Sequence, residues 1–174
     1  MNISRLTAPI TGEELRQLTA LMQEAVSLGA SIGYTDATKQ VEAMSRYWQR
    51  QSRALTQGDV QFFCARIDQK IVGIIGLEPC GKYNGSHRGE VFKLIVGQAW
   101  RRQGIAKKLM QTAVDSATQA GLKLLVLDTR TDDFTVTLYQ SLGWVVAGEI
   151  PRYALSTSGE YQATTLMFLL LPRQ

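Results

Sequence analysis

The stretch EVFKLIVGQAWRRQGIAKKLM, residues 90–110, decides the fold of this 174-residue chain. Its opening residues are rich in β-branched and aromatic side chains, which predicts a strand over 90–96. The spacing of apolar residues after Gly104 predicts a helix that ends near residue 119. Residues 122–127 are nearly all apolar, which is typical of a strand buried on both faces. Strand, helix and strand with short links form a βαβ unit, so we expect parallel strands joined by a right-handed crossover.

Two helices are predicted before this unit. Thr11 and Glu14 form a capping-box pattern ahead of apolar residues at helical spacing, which predicts a helix over 12–28. After a loop with two glycines, Asp36 is predicted to open a second amphipathic helix that runs to about residue 55.

A hairpin and a C-terminal extended region complete the predicted elements. Residues 60–67 and 70–77 are β-rich and are separated by Asp68-Gln69, which predicts an antiparallel hairpin with a tight turn. The last predicted elements are a short helix and two extended segments, over 134–142, 144–155 and 164–171. Together these elements predict one α+β domain with a mixed sheet.

The composition excludes several classes of protein. The longest apolar run, residues 166–171, has six residues, far short of the roughly 20 that span a bilayer, so no membrane partner is expected. Two cysteines cannot form a disulfide framework, and with no signal-like N-terminus they predict a cytoplasmic location. No metal-ligand spacing of histidine or cysteine is present, so no metal is expected.

The net charge of +4 is concentrated in one segment. Between residues 91 and 114 the chain has no acidic residue and five basic ones: Lys93, Arg101, Arg102, Lys107 and Lys108. The rest of the chain has 14 basic and 15 acidic residues and is therefore balanced. A nucleic-acid site would interleave aromatic residues with such charges or carry a recognition motif, and neither is present, so no nucleic-acid partner is expected.

The loop before the central helix has the features of a phosphate site. The first amides of a helix lack intrahelical acceptors, and the helix dipole adds roughly half a positive charge there. Gly104 and Ala106 would let a ligand approach the backbone because their side chains are minimal. A solvated basic helix end with glycine in the turn is the alternative. The glycine patterns of P-loops and of dinucleotide folds are absent.

The chain carries three motifs that resemble those of the GNAT superfamily of N-acetyltransferases and occur in the same order as in that family. Arg101-x-x-Gly104-x-Ala106 matches the family signature [Q/R]-x-x-G-x-[G/A] after the fourth strand. The strands at 90–96 and 122–128 have the family's spacing, and Leu138-Tyr-Gln-Ser-Leu-Gly-Trp144 resembles its Y-x-x-x-G-[FW] element.

The resemblance implies a GNAT-type fold, a central mixed sheet with a βαβ core flanked by helices. One N-acetyltransferase domain would cover residues 1–174. Acceptor-side helices would lie in 1–58 and the acetyl-CoA-binding core in 60–150.

The resemblance also implies acetyl-CoA as co-substrate. Its pyrophosphate would lie on the amides of residues 103–106, and its pantetheine arm would pair with the backbone of residues 94–96 by strand addition. The implied cofactor-binding residues are Leu94, Ile95, Val96, Arg101, Arg102, Gln103, Gly104, Ile105, Ala106 and Lys107. Many members carry a cofactor-contacting asparagine seven residues before the tyrosine, where this chain has Asp132.

Acetyl transfer needs a neutral amine, a stabilised tetrahedral oxyanion and a proton for the departing thiolate. By resemblance, Tyr139 matches the family's general acid, and a phenol with a pKa of about 10 is protonated at neutral pH and can donate to a thiolate whose pKa is near about 8.5. A core tyrosine on the short helix is the structural alternative for Tyr139. By resemblance, the backbone N–H near Leu94 is the oxyanion donor.

Glu90 is the candidate general base. It lies eleven residues before Arg101, the spacing at which histone acetyltransferases of the family carry theirs. An ion pair of Glu90 with Arg88 or Lys93 is the structural alternative, and a water chain is the alternative base. His87, the single histidine, is expected to be a solvated loop residue.

The acceptor implied by the resemblance is a primary amine. A small molecule is preferred because the chain carries no extra module to hold a protein, and a protein N-terminus or lysine is the alternative. The acceptor is expected between the N-terminal helices, loop 29–34 and hairpin 148–153, near Tyr34, Trp48, Trp144 or Tyr153. A non-catalytic CoA-binding sensor is the alternative of another class, and a homodimer is a possible assembly.

Overall fold

The computed structural model of the protein describes residues 1–172. Its strands are β1 (Asn2–Arg5), β2 (Gln61–Ile67), β3 (Lys70–Pro79), β4 (Arg88–Val96), β5 (Leu124–Arg130), β6 (Val145–Leu155) and β7 (Tyr161–Leu170). Its helices are α1 (Gly12–Ser27), α2 (Val41–Gln57), α3 (Ile105–Gln119) and α4 (Phe134–Ser141). The strands form one seven-stranded sheet in the order β1-β2-β3-β4-β5-β7-β6, which confirms the predicted α+β mixed sheet.

The predicted βαβ unit is confirmed as β4, α3 and β5. Arg88 to Glu90 pair in parallel with Leu124 to Val126, while the other neighbouring strands are antiparallel. α3 covers one face of the sheet with its apolar stripe, which buries Ile105, Leu109, Met110, Ala113 and Ala117. Each large apolar side chain buried in this way contributes about 1.5–3 kcal/mol.

The expectation that residues 122–127 are buried on both faces is only half right. Leu125 and Leu127 are buried on the α3 side, but Leu124 and Val126 on the opposite face are only partly buried. The reason is that α1, which covers that opposite face, packs mainly on β3 and β4. This face of β5 therefore remains open to solvent near its C-terminal end.

α1 begins as predicted, whereas α2 begins later. The capping box of α1 is present, with the Glu14 N–H donating to Thr11 Oγ1 at 3.2 Å and the Thr11 N–H donating to Glu14 Oε2 at 3.0 Å. The prediction that Asp36 opens α2 is wrong by five residues, because the Asp36 carboxylate accepts hydrogen bonds from the Thr38 and Lys39 amides. These bonds stabilise a turn ahead of the helix.

The predicted hairpin of β2 and β3 is confirmed, with a two-residue turn. Asp68 and Gln69 have φ of 48° and 65°, the left-handed pair of a type I′ turn, whose twist matches the flanking strands. β1 is not predicted by its four-residue sequence, yet it pairs antiparallel with β2 at the edge of the sheet.

β4 and β5 separate before either strand ends. Their pairing stops at Glu90 and Val126, although β4 continues to Val96 and β5 to Arg130. Beyond this point β5 pairs only with β7. The two strands therefore border a wedge in the middle of the sheet.

A bulge bends β4 beside this wedge. Phe92 pairs with Gly76 and Ile95 pairs with Ile74, so β4 has one residue more than β3 over this interval. Lys93 takes up the extra length with φ of 53°. A bulge interrupts the ladder and increases the local twist, which helps to separate β4 from β5.

Within residues 1–172, no helix combines the length and the apolar character needed to cross a membrane.

Candidate active site

The start of α3 presents a run of backbone amides without partners. Gly104 is the N-cap with φ of 77°, and Arg102 has φ of 60°. The first helical hydrogen bond runs from the Lys108 N–H to the Gly104 carbonyl at 3.1 Å, and the described chain supplies no acceptor for the amides of residues 102–107. Left-handed residues in a turn gather N–H groups into a concavity, and together with the helix dipole they form an anion site.

The space in front of these amides is open and positively charged. A Cβ added at Gly104 would meet no atom within 4 Å. The predicted contributors Arg101, Arg102, Gln103 and Lys107 are all exposed around this point. The side chain of Ile105 is buried in the core, so only its amide can contact a ligand. The arrangement fits a pyrophosphate.

The wedge leaves one main-chain edge of β4 without a strand partner. The side chains of Leu94 and Val96 pack on the α3 side of the sheet, and that of Ile95 packs on the α1 side. Leu94 and Ile95 can therefore offer a ligand their main chain, whereas the Val96 carbonyl accepts a hydrogen bond from Arg101 Nε at 3.2 Å. An extended chain of amides, such as a pantetheine arm, can pair with a free strand edge in this way.

Tyr139 lies on α4 at the far side of the wedge. Asp133 caps this helix by accepting a hydrogen bond from the Thr135 N–H at 3.0 Å. Tyr139 is 7% exposed and its ring centroid lies 6.2 Å from that of Trp144. Burial raises the pKa of Tyr139 above its usual value, and the charges of Asp133 and Asp128 act in the same direction. The phenol therefore stays protonated at neutral pH.

Glu90 stands between two other carboxylates on one face of the sheet. Register places Glu78 beside Glu90, and Glu90 beside Val126, which precedes Asp128 by two residues. Because side chains two residues apart share a face, the three carboxylates lie together, and we name them the carboxylate trio. All three residues are exposed at the wedge.

The trio changes the proton affinity of Glu90. Partial burial raises the pKa of Glu90, and the charges of Asp128 and Glu78 raise it further, against smaller opposing contributions from Lys93 and Arg88. Glu90 as a whole is exposed, so this burial is the partial shielding from water of a side chain in the wall of a cleft. Among residues 1–172, Glu90 forms no ion pair with Arg88 or Lys93, the alternative expected from the sequence.

Sequence reasoning missed Asp128 and Glu78 as members of the site. Asp128 accepts a hydrogen bond from Thr164 Oγ1 at 2.9 Å, and its charge acts on both Glu90 and Tyr139. It therefore lies near both of the predicted catalytic residues. The sequence does contain a signal for Asp128, because it is a carboxylate directly after an apolar strand. Charged residues are seldom placed near a core without a role.

A cavity of about 430 Å³ opens on the same side of the sheet as the trio. We name it the α2 cavity, and its lining residues are Ile32, Gly33, Tyr34, Ala43, Arg46, Tyr47, Arg50 and Lys93. It adjoins loop 29–34 and α2, two parts of the expected acceptor region, but none of residues 148–153 lines it. Of the aromatic candidates only Tyr34 lines it, because Trp48 and Trp144 are buried in the two cores and Tyr153 is exposed on β6.

Lys93 connects the α2 cavity to the carboxylate trio. Its Nζ donates a hydrogen bond to the Ile32 carbonyl at 3.0 Å and lies 5.2 Å from the centroid of the Tyr47 ring. Burial lowers the pKa of Lys93, while the charges of Asp128 and Glu90 oppose that shift. The bulge of β4 thus carries a cation that fixes the loop after α1.

Arg130 fixes the same loop from the other side of the wedge. Its Nη1 donates a hydrogen bond to the Gly29 carbonyl at 2.9 Å, and its Nη2 pairs with the Asp133 carboxylate at 2.7 Å. Asp133 is also the N-cap of α4. One side chain therefore joins the loop at the acceptor side to the helix that carries Tyr139.

The histidine is placed as the sequence suggested, and Cys64 and Cys80 are free thiols. His87 is exposed. Cys64 is buried, and its burial raises the pKa of the thiol to about 12, so it stays protonated. In the part of the chain that is described, no group of three or more His, Cys, Asp or Glu side chains is arranged to hold a metal ion.

Comparison with known sequences points to one family. A sequence model described as the acetyltransferase (GNAT) family matches residues 19–144. Human N-acetyltransferase 8 is 36% identical over 90 residues, which are 51% of this chain and 40% of that protein. Probable N-acetyltransferase camello of Xenopus laevis is 34% identical over 113 residues, 62% of this chain and 48% of that protein. The matches thus span less than half the length of these two relatives.

Comparison with solved structures points to the same fold. A ribosomal-protein-alanine N-acetyltransferase from Brucella melitensis superposes with a TM-score of 0.78 at 18% identity, covering 98% of this chain and all of that one. The yncA protein of Salmonella typhimurium, determined with its cofactor acetyl-CoA, also gives a TM-score of 0.78 at 18% identity, covering 100% of this chain and 96% of that one. At these identities the likeness shows the fold alone.

Proposed function

The chain belongs to the acetyltransferase (GNAT) family, and from this premise we propose that it transfers an acetyl group from acetyl-CoA directly to the primary amine of a small molecule. One observation carries the proposal. Among the described residues, the amides of 102–107 have no acceptor, and they follow β4 where its pairing with β5 has ended. Glu90 lies on β4 where this pairing ends, and Tyr139 lies on α4, which packs on β5. A candidate phosphate cradle, a free strand edge and the proposed base and acid are thus close together in the fold.

The co-substrate would be held mainly by main-chain groups. The pyrophosphate would accept hydrogen bonds from the amides of residues 103–106, and Arg101, Arg102 and Lys107 would add positive charge. The pantetheine arm would pair with the main chain of residues 94–96. The orphaned amides and the open space at Gly104 support this assignment.

The residues of the wedge would divide the proton transfers. Glu90, directly or through water, takes a proton from the amine, whose nitrogen attacks the thioester carbonyl carbon. The backbone N–H near Leu94 stabilises the tetrahedral oxyanion. As the carbon–sulfur bond breaks, Tyr139 gives its proton to the departing thiolate. The products are an amide and the free thiol of CoA.

Replacement of the acid tests the mechanism. We expect Tyr139→Phe to lower turnover by about 10²–10⁴-fold with an unchanged Kd for acetyl-CoA, because a general acid acts in the reaction and not in binding. Thiol release measures turnover, and calorimetry measures Kd. Tyr161→Phe, at a tyrosine that is 70% exposed on β7, is the control. Unchanged turnover in Tyr139→Phe would remove this residue from the mechanism.

The alternatives make different predictions. A CoA-binding sensor would bind acetyl-CoA and acetylate no amine in a broad panel. A protein acetyltransferase would accept peptide N-termini or lysines in preference to small amines. The cytoplasmic location and the homodimer stay predictions, and sedimentation of the purified chain measures its assembly.

A further inference from the structure

The α2 cavity carries a charge that the proposed acetyl transfer does not use. Its lining includes three cationic side chains, from Arg46, Arg50 and Lys93, and no acidic one. The rest of the lining is apolar or aromatic, with Ile32, Tyr34 and Tyr47. A cavity with these walls suits a small ligand that has an anionic group and an apolar part.

Arg50 is the cation without a partner in this cavity. Arg46 pairs with Glu42 on the same helix, and Lys93 donates to the Ile32 carbonyl. By contrast, Arg50 forms no ion pair or hydrogen bond within residues 1–172. Its charge acts on both Tyr34 and Tyr47, which places it at the two rings of the cavity wall.

A guanidinium in this position favours a planar anion. It presents N–H donors in a fixed fork that matches the two oxygens of a carboxylate. Charge-assisted bonds of this kind are roughly twice as strong as neutral hydrogen bonds.

The cationic cavity adjoins the carboxylate trio. Lys93 lines the cavity with its Nζ 5.2 Å from the centroid of the Tyr47 ring, and it follows Glu90 by three residues on the same strand. Positive and negative walls therefore meet on one face of the sheet. An acceptor with an amine at one end and an anion at the other would match both walls, whereas a diamine would place its second cation against the arginines.

We propose that the acceptor is an amine that also bears a carboxylate, with the carboxylate bound by Arg50 and the amine directed to Glu90. Arg50 is then a specificity-determining residue that touches the substrate away from the reacting atoms. This inference rests on the proposed acetyl transfer and adds the chemical class of the acceptor to it.

Matched acceptors test the class. The probes are leucine, phenylalanine and 4-aminobutyrate, each compared with its carboxamide, and with 1,4-diaminobutane as the dication. We expect kcat/KM to be about 10–100-fold higher for the carboxylates than for their amides, the factor that corresponds to one charge-assisted bond. Equal values for acid and amide, or a preference for the diamine, would overturn the inference.

Variants on one helix test the residue. We expect Arg50→Gln to raise KM for the carboxylate acceptors about 10–100-fold with little change in kcat, and to abolish the preference over the amides. Arg50→Lys keeps the charge without the fork and should give an intermediate KM. Arg53→Gln is the control, since Arg53 is exposed on the same helix and lies outside the α2 cavity. An Arg50→Gln enzyme that kept its preference would contradict the assignment.

Binding separates the two proposals. Calorimetry with the same carboxylates in the presence of CoA reports on the cavity even where no transfer is detected. Binding by the parent chain and its loss in Arg50→Gln would support this inference. Transfer to amines without any preference for carboxylates would overturn it and leave the acetyl transfer standing. Failure to bind acetyl-CoA would overturn the acetyl transfer itself.

Discussion

Glu90 illustrates how neighbouring residues, more than sequence position, set the chemistry of a side chain. It is one member of a trio of carboxylates brought together by the register of three strands. Partial burial raises the pKa of Glu90, and the like charges of Asp128 and Glu78 raise it further, in the direction that suits the proposed base. Of the two neighbouring carboxylates, Asp128 has the larger effect.

Replacement of Asp128 is therefore expected to shift the pH dependence of kcat/KM. The acid limb of kcat/KM reports the pKa of the base in the free enzyme, and we expect this limb above the ordinary range of glutamate. Because the negative charge of Asp128 raises the pKa of Glu90, Asp128→Asn should move the limb to lower pH. Asp59→Asn, at an exposed position after α2, should leave it in place.

The same profile tests the role of Glu90. In Glu90→Gln the limb should disappear, with kcat/KM lowered by about 10²–10⁴-fold. A limb that persisted in Glu90→Gln would assign the base to a water chain or to another group.

At the scale of the element, α3 is bounded by two glycines with the same backbone conformation. Gly104 before its start has φ of 77°, and Gly121 after its end has φ of 79°. A Cβ added at either position would meet no atom within 4 Å. Only the first glycine adjoins the unpartnered amides.

These glycines give a matched pair of substitutions. Alanine at either position should lower the free energy of unfolding by about 1 kcal/mol, because a left-handed φ is costly for a residue with a Cβ. Gly104→Ala alone should also raise the Kd for acetyl-CoA, by about tenfold or more, since its Cβ enters the space in front of the amides. Urea unfolding and calorimetry measure the two effects. Equal Kd values for the two variants would argue against a phosphate site here.

At the scale of the whole molecule, two arginines hold distant segments together in similar ways. Arg130 joins the loop at Gly29 to the N-cap of α4. Arg66 joins Ser4 of β1 to Glu14 of α1 near the β1 edge of the sheet, whereas Arg130 lies on β5, closer to the other edge. Each arginine makes one ion pair and one further hydrogen bond, and each is partly buried.

Only one of the two arginines should affect activity. We expect Arg130→Ala and Arg66→Ala to cost a similar free energy of unfolding, about 1 kcal/mol. Arg130→Ala should also lower turnover about tenfold and speed amide hydrogen exchange in residues 28–34 and 134–141, because both segments lose their anchor. If turnover were as high in Arg130→Ala as in Arg66→Ala, the contacts of Arg130 would not be needed for catalysis.

Local patterns in the sequence determined most of the elements. The capping box at Thr11, the left-handed turn at Asp68 and the apolar period of α3 arise from interactions within a few residues, so they can be predicted without knowledge of the fold. The βαβ unit follows from their order, and the proposed phosphate site follows from Gly104 at the start of a helix. β1 and the start of α2 were missed, because the first depends on pairing with β2 and the second on a competing turn.

Only the tertiary structure decided which side chains face one another across the wedge. Glu78, Glu90 and Asp128 lie on three strands, and their proximity depends on register, which a single sequence does not reveal. Arg50 lies beside Tyr34 because α2 packs against the loop after α1, and its lack of a partner among residues 1–172 is a property of that packing. The proton affinity of Glu90 and the proposed acceptor choice arise from contacts between segments far apart in the chain, whereas helices, turns and the proposed phosphate cradle arise from neighbours along it.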